Sequence, residues 1–308
     1  MKATAQAHAN IALVKYWGKS DDARLLPQAP SLSVALDKLL TTTTVELGAA
    51  VDSFELDGRR EDPTRARALL DAAGIRGKAR IVSRNAFPTA AGLASSASGF
   101  AALAVAASAA AGQDRSVGEL SALARLGSGS AARSVPGGWA VWEGESARQV
   151  FAPSHWDLRF CIAVCAAGPK QVGSRDGMRT TRDTSPYHAA WIDQCRRDLP
   201  EALARLGRRD LPGLGALAER NALCMHADAL AADPPLLYWQ PATVGCLLAL
   251  RTLRASGVPA WGTIDAGPHV VALCAPADAA RVEAALRGVA GVDEVLVCAP
   301  AGGARIVP

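Results

Sequence analysis

Four short stretches of this 308-residue chain carry residue types that could do chemistry. The first is Pro88, Thr89, Ala90, Ala91, Gly92, Leu93, Ala94, Ser95, Ser96, Ala97, Ser98 and Gly99. It follows a strand-like segment at residues 78–83 and runs into an Ala-rich segment at residues 100–111 with strong helix propensity. Small residues let a ligand come close to the backbone. The first turn of a helix offers unpaired N–H groups and the positive end of its dipole. Serine hydroxyls add donors, and the combination suits a phosphate chain. It equally suits a small-residue helix start packed tightly on another backbone. No Gly-Lys-Ser/Thr follows and no Gly-x-Gly-x-x-Gly occurs, so neither common nucleotide fingerprint is present.

The second stretch is Lys15, Tyr16, Trp17, Gly18 and Lys19, at the end of a strand-like run at residues 11–14. Its two lysines could receive a polyanion or simply meet solvent, and for a generic strand the solvent reading is the more ordinary. The third, residues 127–139, is rich in Gly and Ser, including Ser128 and Ser130, and contains Arg133. A guanidinium offers a rigid fork to a carboxylate or phosphate. The fourth is Asp265, after an apolar strand and before Ala266, Gly267 and Pro268. Alone, it reads as a turn-capping side chain more readily than as a carboxylate on a cleft floor. A further polar segment, residues 169–178 with Ser174 and Arg175, reads as a loop or helix start.

The elements that must position these groups can be read in order. Strands are expected at residues 30–36, 41–47, 53–56, 78–83, 138–142 and 158–166, with helices at 61–73, 100–111 and 117–126, the last capped by Ser116. Helices then dominate at 186–206, 210–230, 241–255 and 277–288, with strands at 258–264, 269–274 and 292–298. A strand-rich first half and helix-rich second half give an α+β class.

Net charge is +4 from 33 basic and 29 acidic residues, with no basic cluster, which argues against nucleic acid as a partner. The seven cysteines, 161, 165, 195, 224, 246, 274 and 298, form no Cys-x-x-Cys and read as reduced thiols. The N-terminus has no signal-peptide core, and no apolar run approaches the roughly 20 residues that span a bilayer. A cytoplasmic protein without membrane contact is expected. The five histidines have no metal-ligand spacing.

Taken together, the stretches resemble the diphosphomevalonate decarboxylases of the GHMP small-molecule kinase superfamily. The resemblance rests on Asn10 to Lys19 (Asn-Ile-Ala-Leu-Val-Lys-Tyr-Trp-Gly-Lys), Pro30-Ser-Leu-Ser33, Phe87 to Ser96, Gly127-Ser-Gly-Ser-Ala-Ala-Arg133-Ser, Ser174-Arg-Asp-Gly-Met178 and Thr263 to Pro268. They occur in the family's order and span nearly the whole chain. The Lys-Tyr-Trp-Gly-Lys and Gly-Ser-Gly-Ser-x-x-Arg elements are the most specific, whereas the Gly-Leu-Ala-Ser-Ser loop is shared with GHMP kinases at large. His269 departs from the pattern, standing where the family usually has Asn. It could alter hydrogen bonding near the acid without changing the reaction.

The resemblance implies a GHMP-kinase-like α+β fold. A ribosomal-protein-S5-like N-terminal part, residues 1–168, joins a helix-rich α/β C-terminal part, residues 169–308, with the site in the cleft between. It implies ATP-dependent decarboxylation of mevalonate 5-diphosphate to isopentenyl diphosphate, with Mg2+ accompanying ATP. A phosphomevalonate decarboxylase or a mevalonate 3-kinase-type enzyme is the alternative. Carried over position by position, Asp265, Lys15 and Arg133 would be catalytic. Tyr16, Lys19, Ser128, Ser130, Arg133, Ser174 and Arg175 would bind substrate. Ala91, Gly92, Leu93, Ala94, Ser95, Ser96 and Ser98 would hold the nucleotide, with Ser96 also at the metal. A homodimer is the family's usual state.

Overall fold

The computed structural model describes residues 1–87, 95–165 and 172–308. The chain opens with β1 (Lys2–Val14), makes a small hairpin of β2 (Lys19–Asp21) and β3 (Leu26–Pro27), and returns as β4 (Ser31–Leu47). Next come β5 (Ser53–Leu56), β6 (Arg59–Glu61), α1 (Thr64–Ala72) and β7 (Ala79–Asn85). They lead to α2 (Ser95–Ala110), α3 (Val117–Gly127), the one-turn α4 (Ala131–Ser134) and the hairpin β8 (Trp139–Glu143) and β9 (Ser146–Phe151). The second half runs β10 (Arg159–Cys165), α5 (Ser174–Thr184), α6 (His188–Gly207), α7 (Leu211–Leu230) and α8 (Pro241–Ala255). It closes with β11 (Ala260–Ile264), β12 (Val270–Cys274), α9 (Ala279–Arg287), β13 (Val292–Cys298) and β14 (Arg305–Val307).

An eight-stranded sheet runs β14-β1-β4-β7-β5-β6, with β8 on the early part of β4 and β9 beside β8. A four-stranded antiparallel sheet runs β11-β12-β10-β13. The two expected strands at 30–36 and 41–47 are one strand. Its polar residues Asp37 and Lys38 are exposed, and the pairing with β1 slips between His8 and Asn10 there. Thr41, Thr43 and Val45 then alternate inward, as a half-buried strand requires. The hairpin strand β9 and the short β14 were not expected from the sequence, and α1 starts at Thr64, just after Pro63, because Glu61 belongs to β6.

α2 begins at Ser95, five residues before the expected start, so Ser95 to Gly99 are helical and not loop. Its alanines are buried on nearly every face, which lets it lie close under β1 and β4. α3 carries the expected Ser116 cap as a full capping box with Glu119. One hydrophobic core joins the halves: Ile11 and Leu13 of β1 share it with Phe160 and Ile162 of β10, Trp191 of α6 and Leu214 of α7.

The tail after β13 crosses back to the first sheet. Ala301 N–H donates to Ala35 O at 2.8 Å, Gly138 N–H to Ala301 O at 2.8 Å and Ala304 N–H to Val135 O at 3.0 Å. Gly137 sits at φ +59°, where a Cβ would lie 2.2 Å from Gly303 N. Gly137→Ala therefore combines a left-handed backbone with a backbone clash. It is expected to destabilise the fold by roughly 2–4 kcal/mol, read as a lowered midpoint in thermal or urea unfolding.

Candidate active site

A cleft of about 510 Å³ opens between the two sheets. The sequence-predicted residues Lys15, Tyr16, Lys19, Ser95, Ser96, Ser128, Ser130, Arg133, Ser174, Arg175 and Asp265 all line it. They arrive from the ends of elements: β1 and the start of β2, the first turn of α2, the α3–α4 turn, α4, the first turn of α5 and the end of β11. Ala91, Gly92, Leu93 and Ala94 lie outside the described residues. Ser98 is placed elsewhere. One turn into α2 it is fully buried, its hydroxyl 2.6 Å from the Thr41 hydroxyl and donating to Ser95 O, so it ties the helix to β4 and does not reach the cleft.

Two residues stand at the centre. Lys15 is buried, and its Nζ donates to Asp265 Oδ1 at 2.5 Å and to Ala12 O at 2.8 Å. Asp265 keeps about 39% of its side chain open, facing the cleft. Burial pulls the Lys15 ammonium below its ordinary range, Asp265 pulls it back up, and Arg133 adds a smaller downward push. His226, on α7 behind the pair, is pushed down to about 4 chiefly by burial and next by Lys15, so it stands neutral there.

Arg133 is also buried. Its Nε donates to Asn10 Oδ1 at 3.1 Å and one terminal nitrogen to Ser31 Oγ at 2.7 Å. Asn10 Nδ2 in turn donates to Ser130 O at 3.0 Å and Ser134 Oγ at 2.8 Å. Asn10, a strand residue, therefore aims the guanidinium. Burial lowers Arg133 to about 10, which leaves it charged at neutral pH. Tyr16 packs on Trp142 with ring centroids 4.7 Å apart, and burial raises its phenol. Lys19 is buried with Asp22 at 3.2 Å, and Asp22 also receives Arg182 at 2.7 Å, which ties the β2–β3 hairpin to α5.

The hydroxyls of Ser96 and Ser128 are 3.2 Å apart, and those of Ser128 and Ser130 3.4 Å. Beside them Arg65 of α1 donates to Gly127 O at 2.6 Å and stacks over Phe100 at 4.8 Å. Burial, and next repulsion from Arg175, lowers the Arg65 guanidinium. Sequence reasoning missed Arg65. Its neighbours, Thr64, Ala66 and Arg67, are ordinary for an exposed helix, and only the fold brings it to the cleft.

The described lining thus carries Lys15, Lys19, Arg65, Arg133 and Arg175 against one carboxylate, Asp265. Such a lining favours a substrate with several negative charges and leaves one group able to accept a proton. No group of three or more His, Cys, Asp or Glu among the described residues could hold a metal. A Mg2+ there would need ligands from the bound phosphates together with a hydroxyl such as Ser96, an arrangement this ion commonly takes. His269 turns from the acid: its Nδ1 accepts the Cys165 N–H at 3.1 Å.

Known proteins resemble this chain along its length. Residues 7–152 match the Diphosphomevalonate decarboxylase-like N-terminal domain, and residues 160–297 match the Mevalonate 5-diphosphate decarboxylase C-terminal domain. A diphosphomevalonate decarboxylase from Aspergillus fumigatus is 36% identical, covering 94% of this chain and 81% of that protein. The human one is also 36% identical, covering 87% and 75%. Among solved structures, MDDEF in complex with MVAPP, AMPPCP and magnesium superposes with TM-score 0.93 at 36% identity, over 100% of this chain and 99% of that one. Mevalonate diphosphate decarboxylase from Staphylococcus aureus superposes with TM-score 0.94 at 36% identity, over 100% and 98%.

Proposed function

This chain belongs to the diphosphomevalonate decarboxylase family, and on that premise we propose how its cleft decarboxylates mevalonate 5-diphosphate at the expense of ATP. The observation that carries the assignment of roles is the single carboxylate of the described lining, Asp265, in contact with buried Lys15 and sharing the cleft with Arg133.

The substrate's tertiary 3-hydroxyl is a poor leaving group, so it is first phosphorylated. Asp265 takes the hydroxyl proton as the oxygen attacks the γ-phosphorus, and ADP leaves. Lys15 holds Asp265 in place for this. The 3-phosphate then departs with the C–O electron pair, and positive charge develops on the tertiary carbon. The carboxylate's C–C pair moves in to form the double bond, releasing CO2 and isopentenyl diphosphate. Arg133 holds that carboxylate in line.

Tyr16, Lys19, Ser174 and Arg175 grip the remote diphosphate, and Ser128 and Ser130 line the same pocket. Ser95, Ser96 and Arg65 face the nucleotide phosphates, together with the N-terminal turn of α2. Mg2+, when bound with ATP through Ser96, neutralises charge on those phosphates. Remote binding of this kind positions the reacting end, an effect worth up to about 7–11 kcal/mol.

Gly129 bears on that grip. A Cβ there would lie 2.6 Å from the Tyr16 hydroxyl and 2.8 Å from its ring, while Trp142 blocks retreat. Gly129→Ala is expected to raise the KM for mevalonate diphosphate roughly tenfold, the size of a modest overpacking penalty, with KM for ATP nearly unchanged.

The family resemblance puts the division of the chain at residues 168/169, a boundary outside the described residues. β10, which precedes that boundary, pairs with β12 and β13 in the second sheet, which favours a division before β10, between residues 152 and 159. We also place the protein in the cytoplasm as a homodimer. Support for the first is seven free cysteines and, among the described residues, no helix long and apolar enough to cross a membrane. The second rests on the family alone, and light scattering at micromolar concentration tests it.

The reaction is tested with purified protein, ATP, Mg2+ and mevalonate diphosphate, following ADP, CO2 and product mass. One CO2 per ADP with isopentenyl diphosphate is expected. ADP without CO2 would mark a mevalonate 3-kinase-type enzyme, and preference for the monophosphate in competition would mark a phosphomevalonate decarboxylase.

A further inference from the structure

We propose that Asn221 of α7, backed by Asp198 of α6, is a positioning residue that sets where Lys15 stands against Asp265. The proposal rests on the reading of Lys15 and Asp265 as the reacting pair.

β1 makes its last pairing with β4 at Val14, so the Lys15 N–H emerges beyond the ladder and is fully buried. A buried N–H without a partner is costly. Asn221 Oδ1 accepts it at 2.8 Å. The other end of the Asn221 amide donates to Asp198 Oδ2 at 2.7 Å. An ionised carboxylate only accepts, so this contact fixes the amide with its oxygen toward Lys15. Asp198 is 1% exposed, and its second oxygen accepts from Gln194 at 2.7 Å and from half-exposed Arg220 at 2.6 Å. The Lys15 carbonyl meets the Cys195 thiol at 3.9 Å. Both backbone groups of Lys15 are therefore held from the α6–α7 pair.

Burying a carboxylate to orient one amide is an expensive way to pack a core, since apolar residues of similar volume serve packing as well or better. What the chain of bonds delivers is a fixed origin for the Lys15 side chain, whose Nζ must then reach Ala12 O and Asp265 together. A displacement of about 1 Å at a reacting group costs on the order of 100-fold in rate.

Asn221→Ala should thus lower kcat by roughly 10–100-fold while the KM values for ATP and mevalonate diphosphate stay within about threefold. A second readout separates positioning from mere stability. The charged and titratable groups facing Lys15 are Asp265 from the end of β11, Arg133 from α4 and His226 from α7, and only Asp265 holds its ammonium up. A loosened Lys15–Asp265 contact moves the basic limb of the kcat–pH profile to lower pH.

Asp198→Asn, nearly isosteric, frees the Asn221 amide to turn and should show a smaller fall in kcat with the same direction of limb shift. It carries the test if Asn221→Ala does not fold. A lower melting midpoint with kcat and the basic limb unmoved in a folded variant, or a loss confined to KM, overturns the proposal. Asp265→Asn separates the two levels. If that variant keeps its turnover, the reading of the pair fails. If it collapses while Asn221→Ala and Asp198→Asn behave as wild type, only the positioning role fails.

Discussion

Asp265→Asn is expected to reduce turnover by about three orders of magnitude while substrate KM values change little. The replacement is nearly isosteric, and its amide oxygen can still accept from Lys15 Nζ, so the floor of the cleft keeps its shape. What disappears is the ability to accept a proton from the tertiary hydroxyl. A positioned base typically contributes about 10²–10⁴-fold, and no second carboxylate lines the described cleft to replace it. His226 is no substitute, because it lies behind the pair, buried and without access to substrate.

The same substitution removes the counter-charge from a buried ammonium. Breaking a buried pair costs about 3–5 kcal/mol when both partners are enclosed. The Asp265 side chain is a little over a third exposed, so the cost here is smaller. The purified variant should bind ATP and mevalonate diphosphate in calorimetry with near-normal affinity while releasing almost no ADP or CO2. Near-normal turnover would remove Asp265 from the mechanism.

Arg133→Gln should suppress CO2 release by about 100-fold or more, with a smaller effect on nucleotide affinity. The buried guanidinium is held by two neutral side chains, Asn10 and Ser31, and among the described residues no carboxylate forms an ion pair with it. Its charge is therefore available to a substrate carboxylate. Glutamine offers a donor but neither the charge nor the two-pronged geometry. It also leaves Asn10 Oδ1 and Ser31 Oγ short of a donor, at about 1–3 kcal/mol for each unsatisfied group, so the melting midpoint should fall as well. A loss expressed only in the KM for ATP would mean that the guanidinium serves the nucleotide, and that the carboxylate of the substrate lies elsewhere.

The parts of the cleft that could be read from sequence are those where residue type and local chain geometry coincide. Lys15, Arg133 and Asp265 each sit at or next to the end of a strand or short helix, within three residues of a Gly or Pro, and such places leave side chains free to face a ligand. The helix of residues 241–255 was legible to the residue because Pro241 opens it and Gly257 follows it. Ser98, carried over from the family's motif, does not line the described cleft, and the reason is local. Helix propensity alone put the start at Phe100, whereas α2 begins at Ser95, and one extra turn rotates Ser98 from the cleft to Thr41. Arg65, Asn221 and Asp198 carried no signal in the chain because their roles exist only across distance. Asn221 meets Lys15 over 206 positions, and no periodicity or spacing encodes such a pairing.

The return of the tail beneath α4 has a consequence for how the protein comes into being. β14 completes the edge of β1, and residues 301–304 brace the backbone that follows Arg133. A ribosome delivers those residues after everything else described here. Until they emerge, the first sheet lacks its outermost strand and the turn bearing the guanidinium lacks its floor. The nascent polypeptide can gather its alanine-rich helix and most of its interior early. The brace behind Arg133, by contrast, can form only once residues 301–304 have been made.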